Sequence, residues 1–249
     1  GSKYVKSNPI GIYEKIKQKL IRGEKILFIG LPCQVAALKN YIGQSLLDNF
    51  YTIDLICHGT PSPRNLEMFL EQYGYFIKTI KDISFRRQNK FYLEENRNSI
   101  EPSGILDSYT LAFLNSLNYT ENCYSCKYAR KKRISDLTIG DSWGSALCED
   151  EQEKGISLVL CMSEKGKKLI EQADLHLEEV DLENAIKFNR QLKEPAVKPK
   201  NYNIFFEYLK RGVPYNKIVA KILPMQYGKQ NIKKILYKLK LLNMIGGGV

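Results

Sequence analysis

The sequence lacks the long apolar runs that a membrane-spanning helix requires. Nowhere in its 249 residues does an uninterrupted apolar stretch reach roughly 18 to 20 residues. The first residues, GSKYVKSNPIG, contain no apolar segment of the signal-peptide type. We therefore expect a cytoplasmic protein, in which thiols stay reduced. A chain of this length buries a sizeable core without cross-links, so the six cysteines are expected to be ligands, nucleophiles or core residues.

Acidic residues are scarce at one end of the chain. Residues 187–240 contain 14 Lys and Arg residues but only two acids, Glu194 and Glu207. The whole chain carries a formal charge of +11, so the remainder is close to neutral. A basic segment of this kind is either a solvated face or a surface for an anionic membrane, an acidic partner protein or nucleic acid. Nothing in the sequence selects nucleic acid, which is therefore not an expected partner.

The last basic segment has the pattern of an amphipathic helix. Five aliphatic residues recur at helical spacing, whereas the lysines between them take mostly other faces: Ile232, Ile235, Leu236, Leu239 and Leu242. Packing against the body of the protein explains this stripe and is the expectation that we adopt. Docking on an anionic membrane surface is the alternative, and it would make the protein peripheral to the membrane.

The order of predicted elements indicates an α/β fold. Short apolar runs bounded by Gly and Pro alternate with segments of helical periodicity. Strands are predicted at 25–30, 51–57, 78–87, 136–144, 155–162 and 175–180, and helices at 10–22, 34–41, 64–73, 103–117 and 163–173. This alternation favours a mixed or mostly parallel sheet covered by helices, here over residues 1–186. We expect a C-terminal helical basic arm, residues 187–249, with short helices up to about residue 228.

Four of the six cysteines have the placement of metal or cluster ligands. Cys123 and Cys126 form a CxxC pair, whose spacing lets two thiolates reach one centre from a tight turn. Two ordinary surface thiols or a redox dithiol are the alternatives. Cys33 and Cys57 each follow a predicted strand. Because adjacent parallel strands end at the same edge of a sheet, we expect these two thiols to meet.

Spacing alone leaves the nature of the centre open. Four cysteines are compatible with structural zinc, but one local pair plus two distant cysteines is more typical of an iron-sulfur cluster inside an α/β enzyme. The remaining cysteines are expected to be structural, with Cys161 buried in an apolar strand and Cys148 in an acidic loop, where an exposed thiol is the alternative.

His58 follows Cys57 in a turn rich in Gly and Pro and is one of only two histidines, which makes it a candidate catalytic residue. A Cys–His nucleophile pair is rejected, because neighbours on an extended chain point to opposite faces. The alternative to a functional His58 is a turn residue that satisfies backbone groups.

Several motifs in order resemble one known family. They are GLPCQVAALK, TIDLICHGTPSP, ISFR, CYSCKYARKKRISDLTIGDSWG and GISLVL. In this order they are similar to the C-terminal domain of the beta-subunit family of coenzyme F420 hydrogenase and dehydrogenase. The resemblance implies an iron-sulfur flavoprotein oxidoreductase, with a four-iron four-sulfur cluster and FAD. Its cluster ligands would be Cys33, Cys57, Cys123 and Cys126.

The resemblance also implies a cofactor cleft and redox partners. The candidate flavin-binding residues come from the KYVKS, GLPCQ, CHG and GDSWG segments: Lys3, Ser7, Gly30, Gln34, His58, Gly59, Asp141, Trp143 and Gly144. Asp141 as a turn cap and Trp143 as a core aromatic are the structural alternatives. Electrons would pass between a ferredoxin-like domain or redox partner protein and a small redox carrier of the coenzyme F420 type.

The sequence also departs from the family pattern. Family members usually carry a ferredoxin-like part and a Gly- and Ser-rich stretch ahead of the KYV segment, so we expect this chain to be a piece that begins inside the usual domain. One alternative function is a non-catalytic, zinc-stabilised module whose basic tail binds a partner or a membrane. Another is an accessory enzyme of surface-polysaccharide biosynthesis, a setting in which bacterial relatives of the family are often met.

Overall fold

The computed structural model describes residues 4–87, 90–95, 98–102 and 104–241. In this part of the chain the helices are α1 (Ile12–Ile21), α2 (Pro32–Ile42), α3 (Pro63–Glu71), α4 (Ser108–Leu114), α5 (Glu149–Lys154), α6 (Glu164–Gln172), α7 (Leu182–Phe188), α8 (Tyr202–Lys210), α9 (Tyr215–Ile222) and α10 (Pro224–Lys238). The strands are β1 (Ile26–Gly30), β2 (Phe50–Leu55), β3 (Ile83–Arg87), β4 (Lys90–Glu95), β5 (Asn98–Ser99), β6 (Leu137–Asp141) and β7 (Ser157–Cys161). Short 3-10 helices lie at Gln44–Leu46, Glu121–Ser125 and Arg190–Leu192.

The chain divides into two compact units, each made of separate stretches of sequence. The first unit comprises Gly1–Lys6, Gly59–Tyr124 and Val197–Val249, and the second comprises Ser7–His58 and Ser125–Ala196. The boundary predicted at residue 186 falls within the second unit.

The second unit is built on a four-stranded sheet of order β1-β2-β6-β7. The first three strands are parallel, and β7 runs antiparallel to β6 at the edge. Helices α1 and α2 cover the β1–β2 end through a buried apolar cluster that includes Leu20, Leu38 and Phe50. The predicted α/β class, with a mixed and mostly parallel sheet flanked by helices, is confirmed.

Helix α6 is fixed to the start of β6 by the polar residues Asp136 and Ser163. The Ser163 hydroxyl donates to Asp136 Oδ1 at 2.7 Å and accepts from the Gly166 amide at 3.1 Å, so it caps the helix as predicted. Burial opposes ionisation of Asp136, but hydrogen bonds from Ser163 and Thr52 outweigh it and lower the pKa of the carboxyl. The strand and helix therefore share one buried carboxylate.

The first unit combines an antiparallel sheet of order β3-β4-β5 with a helical core. That core draws its buried side chains from α3, α4, α8 and α9, among them Phe69, Tyr109, Phe205, Tyr215 and Ile218. The predicted short helices of the basic arm are thus present as α8 and α9, and they supply part of a hydrophobic core.

The structure differs from the sequence prediction at several elements. Strands β4 and β5 and the acidic helix α5 were not predicted. The strand predicted at 175–180 is wrong, because this segment has no strand structure and its Leu175, Leu177 and Val180 are about half exposed. An alternating pattern of apolar and polar residues does not form a β-strand when no neighbouring strand pairs with it.

Helix α10 packs through its polar face, which corrects the prediction that its apolar stripe is buried. Gln230 is buried and accepts from the Leu106 amide at 3.0 Å, and Lys234 pairs with Glu101. Ile232, Ile235 and Leu239, by contrast, are exposed, and Leu236 is half-buried. Leu242 lies outside the described residues.

Within the described ranges, none of the helices has both the length and the apolar character needed to cross a membrane.

Candidate functional site

Cys33 and Cys57 occupy matching positions at the carboxyl ends of neighbouring strands. The register of β1 and β2 pairs Gly30 with Asp54, and each cysteine follows three residues later. Cys33 stands in the first turn of α2, and Cys57 follows β2. Both thiols are half-buried. The register places both cysteines just beyond the carboxyl ends of β1 and β2, and the convergence of the two thiols stays a prediction.

The CxxC pair lies at and just after the 3-10 helix Glu121–Ser125. The Cys123 amide donates to the Thr120 carbonyl at 2.9 Å, and its Sγ lies 3.2 Å from Thr120 Oγ1. Both Cys123 and Cys126 are half-buried thiols. Cys123 belongs to the first unit, and Cys126 belongs to the second.

A buried ion pair ties the segment after Cys126 to the strand before Cys57. Arg133 Nη2 lies 3.1 Å from Asp54 Oδ1, and both side chains are at most 1% exposed. The same guanidinium donates to the carbonyls of Leu55 and Tyr128, each at 2.6 Å. These bonds fix a backbone point two residues before Cys57 and another two residues after Cys126.

The Asp54–Arg133 pair was not predicted from the sequence, although two signals for it were present. Asp54 is the only charged residue of the apolar run YTIDLIC, and Arg133 ends the basic run that follows the CxxC motif. A carboxylate inside a buried strand requires a cation or several donors. Thr138 supplies one more donor, with its hydroxyl 2.7 Å from Asp54 Oδ1.

Three of the predicted cofactor-binding residues lie together at the end of β1. Gln34 donates to Ser7 Oγ at 3.2 Å and accepts from the Leu31 amide, next to Gly30, at 3.0 Å. The Tyr13 hydroxyl donates to the Gln34 carbonyl at 3.1 Å. These polar groups thus form hydrogen bonds with one another, and the Leu31 amide already donates its hydrogen bond to Gln34. Lys3 lies outside the described residues.

His58 and Asp141 are electrostatic neighbours in the second unit. Desolvation of the imidazole lowers the pKa of His58 below its ordinary value, and the negative charge of Asp141 offsets part of that change. Part of the His58 surface is nevertheless exposed to solvent. The Asp141 carbonyl accepts from Asn189 at 3.2 Å, and Trp143 is half-buried.

Gly59 and Gly144 have backbone conformations and neighbours that only glycine tolerates. Their φ angles are +136° and +74°. A Cβ at Gly59 would lie 2.3 Å from the Tyr119 ring, and one at Gly144 would lie 2.3 Å from the Phe188 ring. Both glycines therefore have a structural role that stands beside the predicted role in cofactor binding.

Cys148 and Cys161 are both exposed. The expectation that Cys161 is buried is wrong, because β7 is an edge strand and its last side chain faces outward. Neither cysteine belongs to the predicted ligand set, so substitutions at Cys148 and Cys161 serve as controls for substitutions of the predicted ligands.

The donor chemistry of the four predicted ligands fits a thiolate-bound centre. All six cysteines lie in the described part of the chain, and each is a thiol outside any disulfide. Among the described residues, however, no group of three or more His, Cys, Asp or Glu side chains is arranged to hold a metal ion. A zinc ion needs its four ligands about 2.3 Å from one point when they are thiolates. The described residues do not preform such a site.

One known protein family matches most of the chain. Residues 23–185 match the family described as the C terminus of the beta subunit of coenzyme F420 hydrogenase/dehydrogenase. The chain belongs to this family. It is also 28% identical over 165 residues to the F420-dependent formate dehydrogenase subunit beta of Methanocaldococcus jannaschii. That alignment covers 65% of this chain and 40% of the relative, so the chain spans less than half of that protein.

One solved structure is similar at low sequence identity. It is a structure of the F420-reducing [NiFe] hydrogenase complex from Methanosarcina barkeri, with 17% identity and a TM-score of 0.49. The match covers 86% of this chain and 71% of the other.

The region that matches the family includes most of the candidate site. The four predicted ligands, the GLPCQ and CHG segments and the GDSWG turn all fall within residues 23–185. The Asp54–Arg133 pair falls there as well. Lys3, Ser7 and the helices α8 to α10 lie outside the match, so α8 to α10 are a part of this chain about which the family gives no information.

Proposed function

We propose that the chain is an oxidoreductase domain that passes electrons between a four-iron four-sulfur cluster and FAD, in exchange with a small redox carrier of the coenzyme F420 type. A flavin takes up electrons in pairs and a cluster carries them singly, so the two cofactors together convert between one-electron and two-electron transfer. Cys33, Cys57, Cys123 and Cys126 are the proposed cluster ligands.

One observation carries the ligand assignment. Cys33 and Cys57 follow a register pair of β1 and β2 by the same number of residues, at the carboxyl edge of a parallel sheet. This is the edge at which α/β proteins place their binding groups.

The residues around the thiols support a role in positioning. Arg133 is bonded to the backbone on the strand side of Cys57 and on the loop side of Cys126. Because its guanidinium is buried against Asp54, neither segment moves without breaking a buried charge pair. The proposed function of Arg133 is thus to hold Cys126 and Cys57 in fixed places on the second unit.

The flavin part of the proposal is supported by the family. Its proposed contacts are the side chains of Ser7, Gln34, His58 and Asp141 and the backbone around Gly30, Gly59 and Gly144, with Trp143 and Lys3 as further candidates. Because Ser7 and Gln34 bond to each other, a bound flavin would replace that bond with its own. The proposed redox partner is a ferredoxin-like domain or redox partner protein, in the cytoplasm.

The ligand assignment is tested by metal analysis of matched cysteine variants. The chain is purified without oxygen and assayed for iron, sulfide, zinc and flavin. We expect the iron and sulfide of one cluster per chain, with broad visible absorbance that dithionite bleaches. Cys57→Ser and Cys126→Ser remove a thiolate ligand and are expected to abolish the iron content. Cys148→Ser and Cys161→Ser are the controls and are expected to retain it.

Two outcomes would contradict the proposal. Full iron occupancy in Cys57→Ser or Cys126→Ser would show that the ligand set is wrong. A colourless wild-type protein with one zinc per chain would support the zinc-stabilised module instead. A cluster without flavin in the purified protein would restrict the proposal to the cluster.

A further inference from the structure

The outward face of α10 carries a row of apolar side chains that the described residues, 4–241 with short gaps, leave exposed. Met225, Ile232, Ile235 and Leu239 recur at helical spacing, and their exposed fractions are 75, 59, 57 and 61%. Between Met225 and Leu239 the stripe extends about 21 Å along the helix axis, at about 1.5 Å per residue. Several large aliphatic side chains exposed in one row mark an interaction surface, whereas single exposed ones do not.

The opposite face of α10 accounts for its attachment to the first unit. Tyr227 packs against the helical core, Gln230 is buried, and Lys234 pairs with Glu101. These residues recur at intervals of three and four and lie about half a turn from the stripe. The helix is therefore held by one face and presents the other to its surroundings.

The charges beside the stripe are all positive. Residues 224–241 contain five lysines and no acidic residue. On the helix, Lys229 lies on one side of the stripe and Lys238 lies on the other, and both are exposed. Neither forms an ion pair with another residue in the part of the chain that the structure describes. An aliphatic row between rows of unpaired cations is the pattern of a helix that lies in a membrane interface.

The charge pattern opposes a second copy of this chain as the occupant. Two such helices packed along their stripes would bring the flanking lysines of one against those of the other, because positions that flank a helix seam face each other. An anionic lipid surface suits both the aliphatic row and the flanking lysines. The acyl chains would bury the aliphatic side chains, and the negatively charged headgroups would bind the lysines.

We infer that α10 docks the protein on an anionic membrane surface, with Met225, Ile232, Ile235 and Leu239 inserted at the headgroup boundary. The inference does not depend on the proposed redox function. It gives the exposed lysines of α10 a role in binding lipid headgroups.

The test is binding of the full chain to lipid vesicles. Vesicles of phosphatidylcholine alone are compared with vesicles of phosphatidylcholine and phosphatidylglycerol in equal parts, by co-sedimentation at low and high salt. The wild-type chain is expected to bind the anionic vesicles at low salt and to be released by salt, because screening weakens attraction between surface charges.

Two double variants separate the apolar and the charged contributions. Ile232→Glu/Ile235→Glu is expected to weaken binding by at least about tenfold, since it places carboxylates in the inserted face. Its control is Leu175→Glu/Leu177→Glu, which makes the same change at two equally exposed leucines of the second unit and is expected to bind like wild type. Lys229→Glu/Lys238→Glu is expected to weaken binding by about tenfold or more, whereas Lys168→Glu, at an exposed position of α6, is expected to leave it unchanged.

The inference is overturned if the wild-type chain does not sediment with anionic vesicles, or if it binds neutral vesicles equally well. It is also overturned if Ile232→Glu/Ile235→Glu binds as tightly as wild type. A dimer in light scattering that this variant converts to a monomer, with vesicle binding absent in both, would assign the stripe to a second copy. Circular dichroism of each variant checks that the substituted, exposed positions leave the fold intact.

Discussion

At the scale of single residues, the parallel sheet of the second unit contains a buried charge at Asp54. It is a fully buried carboxylate in the second strand of the parallel sheet, and its partner Arg133 is equally buried. Asp54 Oδ1 accepts bonds from Arg133 and Thr138, whereas Oδ2 is buried and has no hydrogen-bond partner among the residues that the structure describes. The carboxylate is therefore held by few bonds, and the loss of Arg133 would leave its charge without compensation.

We predict that Arg133→Met lowers the free energy of unfolding by about 3–5 kcal/mol, since it leaves a buried charge unpaired. Lys131→Met is the control: Lys131 also forms an ion pair, with Glu183, but both side chains are more than half exposed, and the expected loss is below about 1 kcal/mol. The double variant Asp54→Asn/Arg133→Met should recover part of the loss. Denaturant unfolding measures all three, and equal losses for Arg133→Met and Lys131→Met would contradict the prediction.

At the scale of secondary-structure elements, α6 packs so closely against the start of β6 that no further side-chain atom fits between them. Gly166 lies on the buried side of α6, where a Cβ would come within 2.2 Å of the Asp136 carbonyl oxygen. Because that oxygen belongs to the backbone and also accepts from the Met162 amide at 2.9 Å, it has little freedom to move. The helix can approach the strand this closely only with glycine at that position.

We predict opposite effects of the same substitution in two helices. Gly166→Ala is expected to lower the free energy of unfolding by about 1–3 kcal/mol, because the helix must move away from the strand. Gly228→Ala, in α10, is expected to raise it by about 0.5–1 kcal/mol, because alanine is the better helix former and a Cβ there meets nothing within 4 Å. Thermal unfolding followed by circular dichroism gives the sign of each change. A stabilised Gly166→Ala variant would disprove the close contact.

At the scale of the whole molecule, the C-terminal part of the chain contributes buried apolar side chains to the core and basic side chains to the surface. Helices α8 and α9 contribute Phe205, Leu209, Tyr215 and Ile218 to the helical core of the first unit. The basic residues that dominate the composition of this region are mostly exposed around that core. The C-terminal segment is therefore part of the first unit and not an appendage to a finished domain.

We predict that Phe205→Ala costs the first unit about 3–5 kcal/mol, the usual range for removing a fully buried phenylalanine. The neighbouring Ile204→Ala is the control, since Ile204 is 44% exposed and should lose less than about 1 kcal/mol. Denaturation should be followed by far-UV circular dichroism, because the single tryptophan, Trp143, belongs to the second unit. If both variants lose the same stability, α8 does not contribute to the core as described.

Sequence reasoning succeeded where local pattern and tertiary environment agree. The strands β1 and β2 are short apolar runs that end before Cys33 and Cys57, and Ser163 caps α6 as its position before a helical segment predicts. It failed where the partner of a segment decides the outcome. The alternating residues 175–180 have no strand to pair with, and the periodicity of α10 does not reveal that Gln230 and Lys234 hold its buried face.

The candidate site, like the fold, could be predicted from the sequence only in part. The strand-end positions of Cys33 and Cys57 follow from the alternation of strands and helices, because the ends of parallel strands share one edge. The contact of Arg133 with Asp54 could not be predicted, since it joins residues far apart in sequence whose burial only the fold reveals. The CxxC pair was evident from spacing, whereas the division of the chain between Tyr124 and Ser125 was not.

The Asp54–Arg133 pair also constrains the order of events on the ribosome. Strand β2 leaves the exit tunnel with its carboxylate 79 residues ahead of the arginine that neutralises it. During that interval the burial of an ionised Asp54 by β1 and β2 would carry a large electrostatic cost, so we expect the nascent sheet to stay solvated until Arg133 and β6 have emerged. Chain elongation proceeds at about 5–20 residues per second, so this half of the protein waits for several seconds before it can close.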